Sequence, residues 1–119
     1  MPETKRQPIG PIKLPSGREV YCLEPLGSDR MAIMSRALAE GRQADMMFMM
    51  NGYWLPAKCL CDKDGKFTAP DYFTAFSDWP DRDVQFYRAV FDELFGWQIE
   101  DAQAAKEAAA RFLPKAPAS

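Results

Sequence analysis

Histidine is absent from this chain of 119 residues. That removes the commonest general base, the most frequent transition-metal ligand and the usual partner of a nucleophilic serine or cysteine. Cysteine is scarce: Cys22, Cys59 and Cys61 are the only three. An odd number of thiols gives no disulfide framework and suits a reducing compartment in which they act as small hydrophobes. An excess of positive charge is lacking too. Lys and Arg number 15 against 17 Asp and Glu, a net charge of -2, and no stretch gathers cations into a stripe able to neutralise a phosphate backbone. Nucleic acid is therefore not an expected partner. No apolar run approaches the ~20 residues needed to cross a bilayer, and Met1-Pro2-Glu3-Thr4-Lys5 lacks the apolar centre of a signal peptide. The expectation is a cytoplasmic protein that binds no membrane.

What the chain does contain is enough for one core. Its hydrophobic fraction is 47%, with eight Phe, three Trp and four Tyr, and a chain of this length buries roughly two-thirds of its unfolded surface. Prolines among polar residues mark 1–11 as a flexible N-terminal arm and 114–119 as a flexible tail, leaving 12–113 as a single domain.

Periodicity gives the expected fold class: α+β, mainly α, with an N-terminal β-hairpin docked on a small bundle of four to five helices. Ile12-Lys13-Leu14 and Arg18 to Leu23 flank Pro15-Ser16-Gly17, with Pro and Gly at the second and fourth positions of a turn. Ser28 is an N-cap candidate, and Met31, Met34 and Leu38 at i, i+3 and i+7 predict a helix over about 29–40 that Gly41 stops. The stretch from Asp45 to Leu60 is apolar nearly all round, as a central helix would be, with Asn51-Gly52 and Pro56 predicting a kink or break. Asp62-Lys63-Asp64-Gly65 reads as a turn, and Thr68 or Asp71 as the cap of a short helix holding Tyr72, Phe73 and Phe76. The strongest amphipathic pattern is Val84, Tyr87, Phe91, Leu94 and Phe95, widened by Phe86 and Val90 and ended by Gly96. A last, alanine-rich helix over about 100–112 has only a shallow seam, Ala102, Ala105, Ala109 and Phe112, so it packs weakly or on another chain.

Chemistry-bearing patterns are thin. Asp62 with Asp64, and Asp81 with Asp83, are the nearest carboxylate pairs, and turn or helix-cap duty accounts for both. Asp62-Lys-Asp-Gly65 opens like a calcium loop, yet Phe67 and Thr68 follow where further oxygen ligands belong. Cys59-x-Cys61 with Cys22 falls one ligand short of a structural zinc site. No catalytic residue, metal or cofactor is expected. The remaining signal is a methionine cluster, Met46, Met47, Met49 and Met50, which suits an irregular core or a surface that accepts varied apolar shapes. Four in such close order cannot all face one way, so one or two point to solvent. The candidate partner-binding residues, chosen for apolar character, are Met46, Met47, Met50, Trp54, Phe91 and Phe95.

Several segments together carry a resemblance. The Leu14-Pro-Ser-Gly-Arg-Glu-Val20 hairpin precedes a helix beginning Leu26-Gly27-Ser28-Asp29. An apolar helix then ends in Leu55-Pro-Ala-Lys-Cys-Leu-Cys61, followed by Asp62-Lys-Asp-Gly65, Lys66-Phe67-Thr68, a short helix and the amphipathic helix before Gly96. Over about residues 12–97 this order resembles the tail assembly chaperones of long-tailed, siphovirus-type bacteriophages and prophages. The resemblance implies a non-catalytic protein of the bacterial host cytoplasm, not retained in the mature virion. Its partner would be the tape measure protein, which such chaperones coat until tail tube subunits replace them, and self-association would accompany this. No small-molecule substrate is implied. The alanine-rich end departs from the family's short, variable tail, and no residue-level binding motif carries over. A virion structural protein, such as a tail or head-completion subunit, is the alternative; a small enzyme would require two carboxylates converging in a pocket.

Overall fold

A computed structural model of the protein describes residues 6–114. The chain begins with a hairpin, strand β1 (Ile9–Lys13) antiparallel to β2 (Glu19–Cys22). Its turn is closed by Gly17 N–H donating to Leu14 C=O at 2.8 Å and Leu14 N–H to Arg18 C=O at 2.7 Å. Gly17 lies at φ +95, a conformation that favours glycine. β1 starts earlier than expected: residues 9–11, assigned above to the arm, pair with β2 through a bulge between Ile9 and Ile12. Arg6 is likewise anchored, by an ion pair to Asp29. The rest of the expected arm, 1–5, and 115–119 of the expected tail lie outside the described residues.

A third strand, β3 (Leu60–Cys61), adds antiparallel to β2 and completes a sheet in the order β1-β2-β3. The sequence pattern had continued the apolar helix through Leu60. Instead, Leu23 N–H donates to Cys59 C=O at 2.9 Å and draws the chain into the sheet as the helix ends.

Helix α1 (Gly27–Ala39) ends before Gly41, at φ +69. Its cap differs from expectation: Asp29 reaches back to accept the Leu26 N–H at 2.8 Å, and Ser28 does not cap. Its buried face is Asp29, Ile33 and Ala37, whereas Met31, Met34 and Leu38, the expected inner face, point to solvent.

The apolar stretch forms α2 (Gln43–Met49), a π-helical segment (Met50–Trp54) and α3 (Leu55–Lys58). The break falls at Asn51-Gly52, and its cause lies in Pro56. Lacking an N–H, Pro56 cannot serve the Gly52 carbonyl four residues earlier, and Leu55 N–H bonds instead to Met50 C=O, five residues back. The Arg88 guanidinium takes over the Gly52 carbonyl through Nε and the Tyr53 hydroxyl through Nη1 at 3.0 Å.

Residues 69–79 hold no helix, contrary to expectation. They make successive turns, with Thr74 N–H donating to Asp71 C=O, Ser77 N–H to Thr74 C=O and Trp79 N–H to Phe76 C=O. Asp71 caps the first turn by accepting the Phe73 N–H at 3.0 Å. The looser path lets Phe73 lie 4.3 Å from Trp54 between ring centroids and Phe76 lie 6.0 Å from Tyr87. Helix α4 (Asp81–Phe95) buries Asp83, Val84, Tyr87 and Phe91. Its Asp83 is tied to the hairpin turn, accepting from Ser16 N–H at 3.0 Å and Ser16 Oγ at 2.5 Å.

The core gathers Leu14 from the hairpin turn, Cys22 from β2, Ile33 and Ala37 from α1, Met50, Trp54 and Leu55 from the interrupted helix, and Tyr87 and Phe91 from α4. Helix α5 (Ile99–Ala110) contributes nothing to it, since every residue of α5 is exposed. The fold is α+β and about half helical, with a small three-stranded antiparallel sheet. The expected bundle of four to five helices is not confirmed: one predicted helix is a run of turns, and α5 buries none of its residues.

Candidate protein-binding surface

The places where catalysis would be sought are occupied by structural duties. Asp62 accepts the N–H groups of Lys66 at 3.0 Å and Asp64 at 2.9 Å, bonds that hold its own turn and pull its carboxyl below the ordinary range. Asp83 is buried under the hairpin turn, and Asp81 is an exposed first-turn residue of α4. Asp62 edges one open groove and Asp81 another, and the second carboxylate of each pair lines neither. Burial pushes the thiols of Cys22 and Cys61 up to about 11 and that of Cys59 to about 12, so all three stay protonated near neutrality. Among the described residues, no three Cys, Asp or Glu side chains come together as a metal site.

The residues chosen from sequence as partner-binding separate into three groups. Met50 at 6% exposure, Trp54 at 0% and Phe91 at 4% belong to the core, where they hold the interrupted helix against α4 and are closed to a partner. Met46 and Phe95 are half-buried against that core. Met47 alone is open, at 85%, and beside it Phe48 is 76% exposed. Phe48 was not singled out by sequence, although its place three residues before Asn51 puts it on the outer side with Met47.

Arg30 Nη1 on α1 donates to Asn51 Oδ1 in the π-helical segment at 2.7 Å and ties the two elements together. Met34 and Leu38 follow Arg30 at i+4 and i+8, and Phe48 and Met47 precede Asn51 by three and four residues; all four are exposed. The same Arg30–Asn51 pair lines an open, mixed-polarity cleft of about 470 Å³ with Leu26, Asp92, Phe95 and Trp97, to which the nearly buried Leu55 and Phe91 show only their edges. Leu26 and Trp97 are themselves exposed.

The exposed apolar side chains thus include Met34 and Leu38 on α1, Met47 and Phe48 on α2, and Leu26 and Trp97 at the cleft. A soluble monomer seldom exposes one apolar patch above about 300–600 Å². Here Phe48 is 76% and Trp97 73% exposed, and Met31, Met34, Leu38 and Met47 are exposed as well. In comparisons with protein-family models, curated proteins and solved structures, none matches this chain.

Proposed function

We propose that this protein is a non-catalytic assembly chaperone that covers apolar helical segments of a longer polypeptide, and that the polypeptide is a phage tape measure protein. The observation that carries the reading is the exposed methionine and aromatic side formed by Met34, Leu38, Met47 and Phe48 with the neighbouring cleft. Flexible thioethers adapt to varied apolar shapes, and an amphipathic helix seats its i, i+3, i+4 and i+7 side chains in such a surface. The identity of the long partner comes from the order of sequence elements that resembles tail assembly chaperones. An enzymatic reading has less support, since one carboxylate of each acidic pair, Asp62 and Asp83, is committed to a turn or to the hairpin.

Co-expression with a long helical tape measure protein tests this. The chain should raise that protein's soluble fraction several-fold, and Met47→Asp with Phe48→Asp should abolish the gain while leaving far-ultraviolet circular dichroism unchanged. An unaltered gain in that variant, or none with the parent chain, sinks the reading.

A further inference from the structure

Residues 69–79 cross the body without joining it through their main chain. Among the described residues, every backbone hydrogen bond of this strap is internal: Thr74 N–H to Asp71 C=O at 3.3 Å, Ser77 N–H to Thr74 C=O and Trp79 N–H to Phe76 C=O at 3.1 Å, and Phe73 N–H to the Asp71 carboxylate. None of its residues is buried. Side chains hold it instead. Arg36 Nη2 pairs with Asp71 Oδ1 at 2.9 Å, and its guanidinium lies 4.0 Å from the Phe73 ring centroid. Arg42 lies 4.7 Å from the same ring, and Phe73 packs on Trp54 at 4.3 Å between centroids.

Trp54 beneath the strap is 0% exposed, and its indole N–H finds no acceptor among the described residues. A buried donor left unpaired favours any state that supplies an acceptor. The cluster of fully buried residues contains none from the strap, so the strap can lift without withdrawing a member of that core. An open groove of about 410 Å³ is lined by Met49 and Tyr53 of the interrupted helix, Val84 of α4 and the strap's own Phe73 and Phe76. The strap itself describes what fits there. Its carboxylate, Asp71, precedes Tyr72, Phe73, Phe76 and Trp79, which follow the i, i+1, i+4 and i+7 spacing of one helix face and meet two guanidiniums.

We infer that residues 69–79 are a displaceable strap, holding in cis the seat of a partner helix that presents a carboxylate followed by aromatic side chains. The inference rests on the chaperone reading for its partner and adds a regulation to it. The strap shields Trp54 and its neighbours until such a helix competes for them, and it lowers the apparent affinity by the fraction of time it is closed.

Deuterium exchange of the Trp54 indole N–H, followed by NMR, reads the strap in the isolated full chain. Its protection factor should be at least about ten times lower than that of the slowest α4 amides, because lifting the strap needs no global unfolding. Asp71→Asn keeps an acceptor for the Phe73 N–H but drops the charge facing Arg36. Combined with Phe73→Leu it loosens the strap and leaves Arg36, Arg42 and Trp54 in place. That variant should lower the Trp54 protection by about tenfold more with the α4 amides unchanged. The seat is probed with a synthetic helical peptide carrying Asp, Tyr, Phe, Phe and Trp at the strap's spacing in an alanine and lysine background. The peptide should bind the loosened chain about tenfold more tightly than the parent and restore protection to the Trp54 indole. Asp71→Asn alone should act in the same direction, by about threefold. A strap that serves only as structure predicts equal or weaker binding in both variants, and that result overturns the inference. So does a Trp54 indole that exchanges no faster than the α4 amides. Neither measurement uses a tape measure protein, so a chain that passes both yet fails to solubilise one loses the chaperone reading and keeps the strap.

Discussion

Asp29 is 3% exposed and sits between two cations, Arg6 Nη1 at 2.6 Å and Lys58 Nζ at 2.7 Å, while also accepting the Leu26 N–H. Burial pushes its carboxyl up, but the bonds from Lys58, Leu26 and Arg6 outweigh burial and leave its pKa below the ordinary value. Because the folded pKa is the lower one, Asp29 contributes stability that is complete above the unfolded pKa of about 4 and fades as pH falls through the folded value. Urea titrations should show Asp29→Asn costing about 2–3 kcal/mol at pH 7, with the gap to the parent narrowing below pH ~4. A gap independent of pH would place the effect in the helix cap and not in the charge. The three thiols give a second residue-scale expectation. With pKa values of about 11 for Cys22 and Cys61 and about 12 for Cys59, at most about one thiol in a thousand is ionised at pH 8. A disulfide reagent should therefore modify the folded chain far more slowly than the urea-unfolded one, and rapid native labelling of any of the three would show that its segment opens.

At the scale of elements, the π-helical turn depends on α4. Pro56 leaves the Gly52 carbonyl without its helical donor, and Arg88 supplies a replacement while stacking 4.0 Å from the Tyr53 ring. Gly52 provides the room, since a Cβ there would lie 2.9 Å from Arg88 Nη2. Arg88→Met keeps the stem but removes the fork, and should lower stability by about 1.5–3 kcal/mol in urea; a change under about 0.5 kcal/mol would mean that solvent satisfies the carbonyl equally well. The break itself was legible, because Asn-Gly and a proline four residues after Gly52 are local signals. Its partner was not, since Arg88 lies 36 positions from Gly52. The hairpin and α4 were legible for the same local reason: a Pro-Ser-Gly turn and a repeated i, i+3, i+7 pattern. Helix α1 was found but turned the wrong way. Its true inner face hides a carboxylate among Ile33 and Ala37, and only the distant Arg6 and Lys58 make Asp29 tolerable there. The two-residue strand β3 has no period to read, and the turns of 69–79 carry aromatic residues whose spacing imitates a helix.

For the whole molecule, the same hydropathy that built the core also built a surface, and burial alone tells them apart. Sequence offered six apolar candidates; three went inward, and Met47 marked the outer side that Phe48, Leu38 and Trp97 complete. The body without α5 contains every core residue, and every residue of α5 is exposed. A chain ending after Gly96 should therefore keep the full chain's thermal midpoint to within a few degrees, because surface changes of this kind are worth about 0.5 kcal/mol or less and each kcal/mol moves the midpoint by about 4–8 °C in a domain of this size class. A midpoint lower by about 10 °C or more would show that α5 seals part of the core, contrary to its exposure.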